Sequence, residues 1–121
     1  MRETVLIIYL SLKNGVWDGK QIVSADLVKA SVTPSINVGT GGVKYGLKWW
    51  LFPYGDGSTR LAWAGSGFGG QMPIIVPEYD MVVVFTGWNI HDDRDKRLSH
   101  RVAIDHVIRA VVGQPGGRAK Q

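Results

Sequence analysis

The sequence predicts an α+β fold: an antiparallel sheet meander with a C-terminal helix packed on it. Three observations point there. Four β-prone runs, Tyr45–Phe52, Arg60–Ala64, Gln71–Val76 and Met81–Trp88, follow one another with only short connections. The last third then changes period, placing Ile104, Val107, Ile108, Val111 and Val112 on one helical face. Finally, 121 residues that are 45% hydrophobic suffice for one domain with a real core. Residues 1–112 make that domain, and the Gly-rich residues 113–121 read as a flexible tail.

Taken in order, Val5–Leu12 is apolar and rich in β-branched residues, so periodicity alone leaves strand and helix both open. Asn14-Gly15 ends the segment in either case, since both residues tolerate left-handed backbone angles. Ser24–Ser31 reads as a short helix, with Ser24 as N-cap and Asp26 in the first turn, facing the positive end of the helix dipole. Pro34 closes it. The glycine loop Gly39–Gly42 leads into the four strand-like runs. Between them, Pro53–Ser58 has hairpin-loop composition and Pro77–Asp80 makes a tight reversal. The final helical pattern spans Asp93–Val112, with His91 and the following Asp residues as its preceding loop and cap.

Composition excludes several classes of function. The chain contains no Cys, which removes disulfides, thiolate metal sites and cysteine nucleophiles. Fourteen Lys and Arg against ten Asp and Glu give a net charge of +4. The basic residues do not form a stripe, however: Asp92-Asp93-Arg94-Asp95-Lys96-Arg97 interleaves the signs, and Arg118 and Lys120 lie in the tail, so no nucleic-acid partner is expected. No small-residue cleavage site follows the first apolar run before Asn14-Gly15, and no apolar stretch reaches the ~20 residues needed to span a bilayer. A cytoplasmic chain with no membrane partner is the expectation.

Gly65-Ser66-Gly67-Phe68-Gly69-Gly70 has the G-x-G-x-x-G spacing of a phosphate-cradling loop. Such a loop must open a helix, and Gln71–Pro77 carries two prolines among β-branched residues, so a plain β-bend fits better. Ser66 is the candidate nucleophile, flanked by glycines at a strand end. It does not lie in G-x-S-x-G, because Ala64 takes the first glycine's place. No serine in the chain has Lys three positions on, so S-x-x-K is absent too. His91, His100 and His106 are expected in solvated roles, with no metal site. The tryptophans Trp17, Trp49, Trp50, Trp63 and Trp88 are expected in core and sheet-face packing. No cofactor is implied.

The order of several segments nevertheless resembles a known family. Tyr9–Ser31 with its Asn14-Gly-Val-Trp-Asp-Gly19 turn, Tyr45-Gly-Leu-Lys-Trp-Trp50, Ala64-Gly-Ser-Gly-Phe-Gly-Gly-Gln71 and Val76-Pro-Glu-Tyr-Asp-Met-Val-Val-Val84 together resemble the C-terminal part of the serine β-lactamase-like family. That family holds class C β-lactamases, related esterases and D-amino-acid peptidases. The likeness covers residues 5 to 112. It implies a partial penicillin-recognising (transpeptidase-like) fold, a helical Val5–Leu12, and a ligand groove at Gly65, Ser66, Gly67 and Phe68. There Gly65-Ser66-Gly67 stands where members carry K-T-G or H-x-G, and the Phe68 N–H matches an oxyanion donor. Gly65 departs from the Lys or His, which removes a charge.

By the same resemblance, the nucleophile, its Lys and the second-motif Tyr belong to a region these residues do not contain. The expectation is a truncated serine hydrolase remnant without hydrolytic activity alone that keeps small-molecule binding. The alternatives are an active esterase or amidase using Ser66 or a complementing chain, and a structural or interaction module. In the family, other strands pair with the run Met81–Trp88. Left open, that edge would aggregate, so a homo-oligomer, most simply a two-fold dimer, or a complementing partner is expected through the sheet.

Overall fold

The apolar run near the N-terminus, open between strand and helix in the sequence, is helical. The computed structural model describes residues 2–55, 57, 59–87 and 99–113. Helix α1 (Arg2–Leu12) is followed by β1 (Val16–Trp17), β2 (Lys20–Gln21), α2 (Ala25–Val32), β3 (Ile36–Asn37), β4 (Lys44–Tyr45), β5 (Trp50–Tyr54), β6 (Arg60–Ala64), β7 (Gln71–Val76), β8 (Met81–Thr86) and α3 (His100–Val112). Strands β1 and β2 form a small ribbon. Strands β3 to β8 form a six-stranded antiparallel sheet in sequential order. The α+β meander with a C-terminal helix is therefore the observed architecture.

Local chemistry sets the helix ends. Asn14 and Gly15 adopt φ of 53° and 83°, and the Gly15 N–H returns to the Leu10 carbonyl at 2.8 Å, which terminates α1. The Ser24 Oγ accepts the Leu27 N–H at 3.2 Å and caps α2. Helix α3 begins later than the Asp93 expected. Its cap is Ser99, whose Oγ accepts the Val102 N–H at 3.3 Å. Residues 93–98, the proposed cap at His91, and the tail from 114 on lie outside the described residues.

Alternation along the strands sorts the sheet into two faces. On one, Tyr54, Ala62, Ala64, Met72, Ile74 and Val76 pack with Ala103 and Ile104 of α3. Leu51 and Ile75 are buried on the other, as is Ile8 of α1, and α1 lies against β7 and β8. The inward stripe of α3 takes in Ala103 as well as Ile104, Val107, Ile108 and Val111. Val112, placed on that face from the sequence, is 55% exposed because it falls past the stripe at the C-terminus.

Two strand boundaries differ from the sequence expectation. Tyr45–Phe52 is not one strand: Gly46 to Trp49 form a loop closed by the Gly46 N–H on the Trp49 carbonyl at 2.9 Å, and Tyr45 pairs with Trp50. The reason is tertiary. A Cβ at Gly46 would lie 2.1 Å from the Ser31 carbonyl oxygen, so the chain turns where it meets the end of α2. Pro53 and Tyr54, expected in the loop, instead extend β5 opposite Leu61 and Arg60, while Asp56 and Ser58 lie outside the described residues. Strand β8 ends at Thr86, and Trp88 is likewise not described.

The β7–β8 reversal is a 3₁₀ turn, Pro77–Tyr79, completed by Asp80 at φ 51°. Two polar links hold it. Lys13 Nζ donates to both Asp80 carboxylate oxygens at 2.7 and 2.9 Å, tying the end of α1 to the turn. Glu78 accepts from the Tyr54 hydroxyl at 2.6 Å and from Arg60. Burial opposes the charge on Glu78, but these two donors outweigh it and hold the carboxyl below its usual value. No helix among the described residues is long and apolar enough to cross a membrane.

Two measurements follow. Ile74→Ala, which empties a position with no exposed surface, is expected to cost about 2–5 kcal/mol in urea unfolding. Because the folded Glu78 titrates below the unfolded value of 4.5, its contribution is present above that pH and is lost as the pH falls through the lowered value. Melting temperature should therefore drop on acidification below pH 4.5, and Glu78→Gln should flatten that part of the profile.

Candidate functional site

The site anticipated at Gly65–Phe68 lies at the free end of the β6–β7 hairpin. Gly65 and Gly67 continue the β6 ladder, their N–H groups donating to the Pro73 and Gln71 carbonyls at 2.9 and 2.8 Å. Phe68, Gly69 and Gly70 make the turn, and φ values of 80° and 82° at the two glycines let the chain reverse within three residues. No helix follows, so the phosphate-loop reading fails on geometry: β7 runs straight on from the turn.

This end of β6 overhangs its other neighbour. Pairing of β5 with β6 stops at Trp50 opposite Ala64, so on that side Ser66 has no strand beside it among the described residues. In a strand, N–H and C=O of one residue point the same way and alternate along the chain. With Gly65 and Gly67 facing β7, Ser66 presents its backbone to the open side. Its side chain is exposed and makes no hydrogen bond among the described residues. The Phe68 N–H also has no partner among them, and the Phe68 ring is 89% exposed at the hairpin tip. Beside these residues Thr4 of α1, Gln71, Pro73, Val84 and Phe85 help enclose a groove of about 260 Å³ with Ser66 and Gly67.

His100 is the residue that sequence reasoning missed. Expected to be solvated, it is half-buried, stacked on Phe52 with ring centroids 5.2 Å apart and planes 9° apart. Its Nε2 lies 3.0 Å from the Gly65 carbonyl oxygen. A carbonyl can only accept, so Nε2 carries the hydrogen. The cause is Pro73. The Gly65 N–H reaches Pro73, but proline has no N–H to return the bond, and His100 donates to the carbonyl left over. Pro73 also explains why position 65 has no side chain: a Cβ there would lie 2.7 Å from Pro73 Cγ. A proline inside a sheet strand was the available signal, since it implies a neighbouring carbonyl short of a donor.

The other candidate residues do not converge. His106 is exposed on α3, His91 is outside the described residues, and among those described no three His, Asp or Glu approach as a metal cluster. Trp50 and Trp63 are half-buried on the sheet as expected and Trp49 is half-buried in the loop before β5, whereas Trp17 is 42% exposed, its ring T-shaped to Tyr9 with centroids 6.1 Å apart. Lys13 is engaged by Asp80 at the β7–β8 reversal, the opposite end of β7 from Ser66. Comparison with known protein families finds no match, and no curated protein matches the sequence significantly.

The His100 bond has a direct test. His100→Phe keeps the stacking on Phe52 but removes the donor, and is expected to destabilise the chain by about 1–2 kcal/mol in chemical unfolding. Introducing Pro73→Val as well restores a strand N–H opposite Gly65, so the double variant should recover part of that loss.

Proposed function

We propose that this chain is a serine β-lactamase-like hydrolase fold that holds a small ester or amide in the groove beside Ser66–Gln71 and does not hydrolyse it by itself. The observation that carries the reading is the arrangement at one hairpin end. An open backbone edge at Ser66, a Phe68 N–H without a partner among the described residues and an exposed hydroxyl with no base bonded to it among them lie together there, and Ser66 also lines the adjoining groove. The motif order from Tyr9 to Val84 supports the family, and the sheet with its C-terminal helix is compatible with it.

The chemistry follows from those groups. An extended acyl ligand pairs along the Ser66 edge, and its carbonyl oxygen accepts from the Phe68 N–H, the interaction that would stabilise negative charge in an acyl transfer. No transfer ensues, because attack by Ser66 needs a base to take the hydroxyl proton. Lys13 is held by Asp80, and His100 Nε2 already donates to Gly65. A groove of about 260 Å³ lies below the ~300 Å³ at which drug-sized pockets begin, so the ligand is small.

The purified chain is therefore expected to turn over neither chromogenic esters nor a chromogenic cephalosporin, and to keep its intact mass after incubation with a fluorophosphonate. Small esters and amides should raise its melting temperature, and Phe68→Pro, which deletes the free N–H, should reduce that rise. Turnover or a covalent adduct abolished by Ser66→Ala would mean that Ser66 is an active nucleophile. A flat thermal response to the whole ligand series would point to a structural module instead. Either result overturns the proposal.

A further inference from the structure

Two dipeptides near the N-terminus, Asn14-Gly15 and Asp18-Gly19, carry the chemistry of self-modification. Glycine has no side chain to shield its nitrogen, which attacks the side-chain carbonyl carbon of the preceding residue and closes a succinimide ring. Asparagine loses ammonia in that step and aspartic acid loses water. Water then reopens the ring, and reopening at the α-carbonyl leaves isoaspartate. In a free peptide Asn-Gly reacts faster than Asp-Gly, because an amide carbon is electrophilic at neutral pH whereas a carboxylate must first be protonated.

The fold treats the two unequally. Both lie in left-handed turns, with φ of 53° and 83° at Asn14 and Gly15 and of 47° and 74° at Asp18 and Gly19. A left-handed residue turns the next nitrogen away from its own side chain, so either turn must open before the ring can close. At the first dipeptide much resists opening. The Gly15 N–H donates to the Leu10 carbonyl at 2.8 Å, and the Gly15 carbonyl accepts the Ile22 and Val23 N–H groups at 2.8 and 3.1 Å. The Asn14 carbonyl, on the same peptide unit as the attacking nitrogen, accepts from Gln21 Nε2 at 2.7 Å. Gly15 is also buried, and a Cβ there would lie 1.9 Å from the Val23 carbonyl oxygen. At the second, Asp18 and Gly19 are exposed at the tip of the β1–β2 ribbon, and a Cβ on Gly19 would meet nothing within 4 Å. The Gly19 N–H has no hydrogen bond among the described residues. Only the Trp17–Lys20 pair closes this turn, and both of its residues are exposed.

We infer that Asp18-Gly19 is a site of isoaspartate formation, whereas the fold keeps Asn14-Gly15 intact. The Gly19 nitrogen bonds to Asp18 Cγ, and its proton leaves with the carboxyl hydroxyl as water. Addition of water at the α-carbonyl then breaks the ring there, so the mass is unchanged. The product has one more backbone carbon in a turn whose length sets the ribbon's register, so Trp17 and Lys20 lose their pairing. It also carries a free α-carboxylate, the group that isoaspartyl methyltransferases esterify with the methyl group of S-adenosylmethionine, and this class of repair reaction would consume it. The inference stands independently of the proposed function.

Ageing the folded chain in warm neutral buffer tests it, with peptide mapping to resolve positions and methyl transfer by an isoaspartyl methyltransferase to count the product. Mapping also separates Asp56-Gly57, whose Asp56 lies outside the described residues. Isoaspartate is expected at position 18, with Asn14 retaining its amide. Unfolded in urea, the same chain should reverse the order, Asn14 reacting first. Asp18→Asn places two Asn-Gly dipeptides in one chain, and position 18 should then deamidate about tenfold or more faster than position 14. Gln21→Ala, which removes the donor to the Asn14 carbonyl, should raise the rate at Asn14. Three results would each overturn the inference: no isoaspartate at position 18 of the folded chain over a period in which the unfolded chain forms it, equal rates at the two positions of the Asp18→Asn variant, or an order unchanged by urea.

Discussion

Ile74, Ile75 and Val76 are consecutive in β7 and none has any exposed surface. Adjacent residues of a strand point to opposite faces, so this burial requires cover on both sides of the sheet. Helix α3 supplies one side through Ala103 and Ile104, and α1 lies against the strand on the other. The remaining arrangement follows from that constraint. It draws the N-terminal and C-terminal helices onto opposite faces of the same strand. It also makes the reversal at Pro77–Asp80 the place where α1 is anchored, through Lys13.

Pro73 sits in this same strand and carries the constraint into the site. Its ring excludes a side chain at Gly65, and its missing N–H hands the Gly65 carbonyl to His100. The helix that covers β7 is thus bonded to the residue immediately before Ser66. Position 65 is thus bare backbone, and under the proposed function recognition falls to the Ser66 edge and the Phe68 N–H.

The order of strands and the positions of most turns were legible because they depend on neighbours in the chain. Arg60–Ala64 and Gln71–Val76 are strands with the expected ends, and Ser24 caps α2 as its spacing implies. The division of Tyr45–Phe52 was not legible, since it arises from the Ser31 carbonyl pressing on Gly46 across the fold. The ribbon β1–β2 and strand β3 are only two residues each, too short to leave a period. Gly65 to Phe68 were singled out by the family resemblance, and Ser66 by its flanking glycines, but the unpaired state of Ser66 depends on β5 ending at Trp50.

What the sequence by itself determined is the meander, its turns and the helical period of the C-terminus, because alternation, proline, glycine and capping serine act within a few residues of themselves. Whether Val5–Leu12 became helix or strand, that His100 reaches Gly65 across 35 positions of chain, and which edges of the sheet remain open were decided only in the tertiary structure. Those outcomes depend on which backbone donors and acceptors the folded chain leaves without a partner, and no local pattern records that.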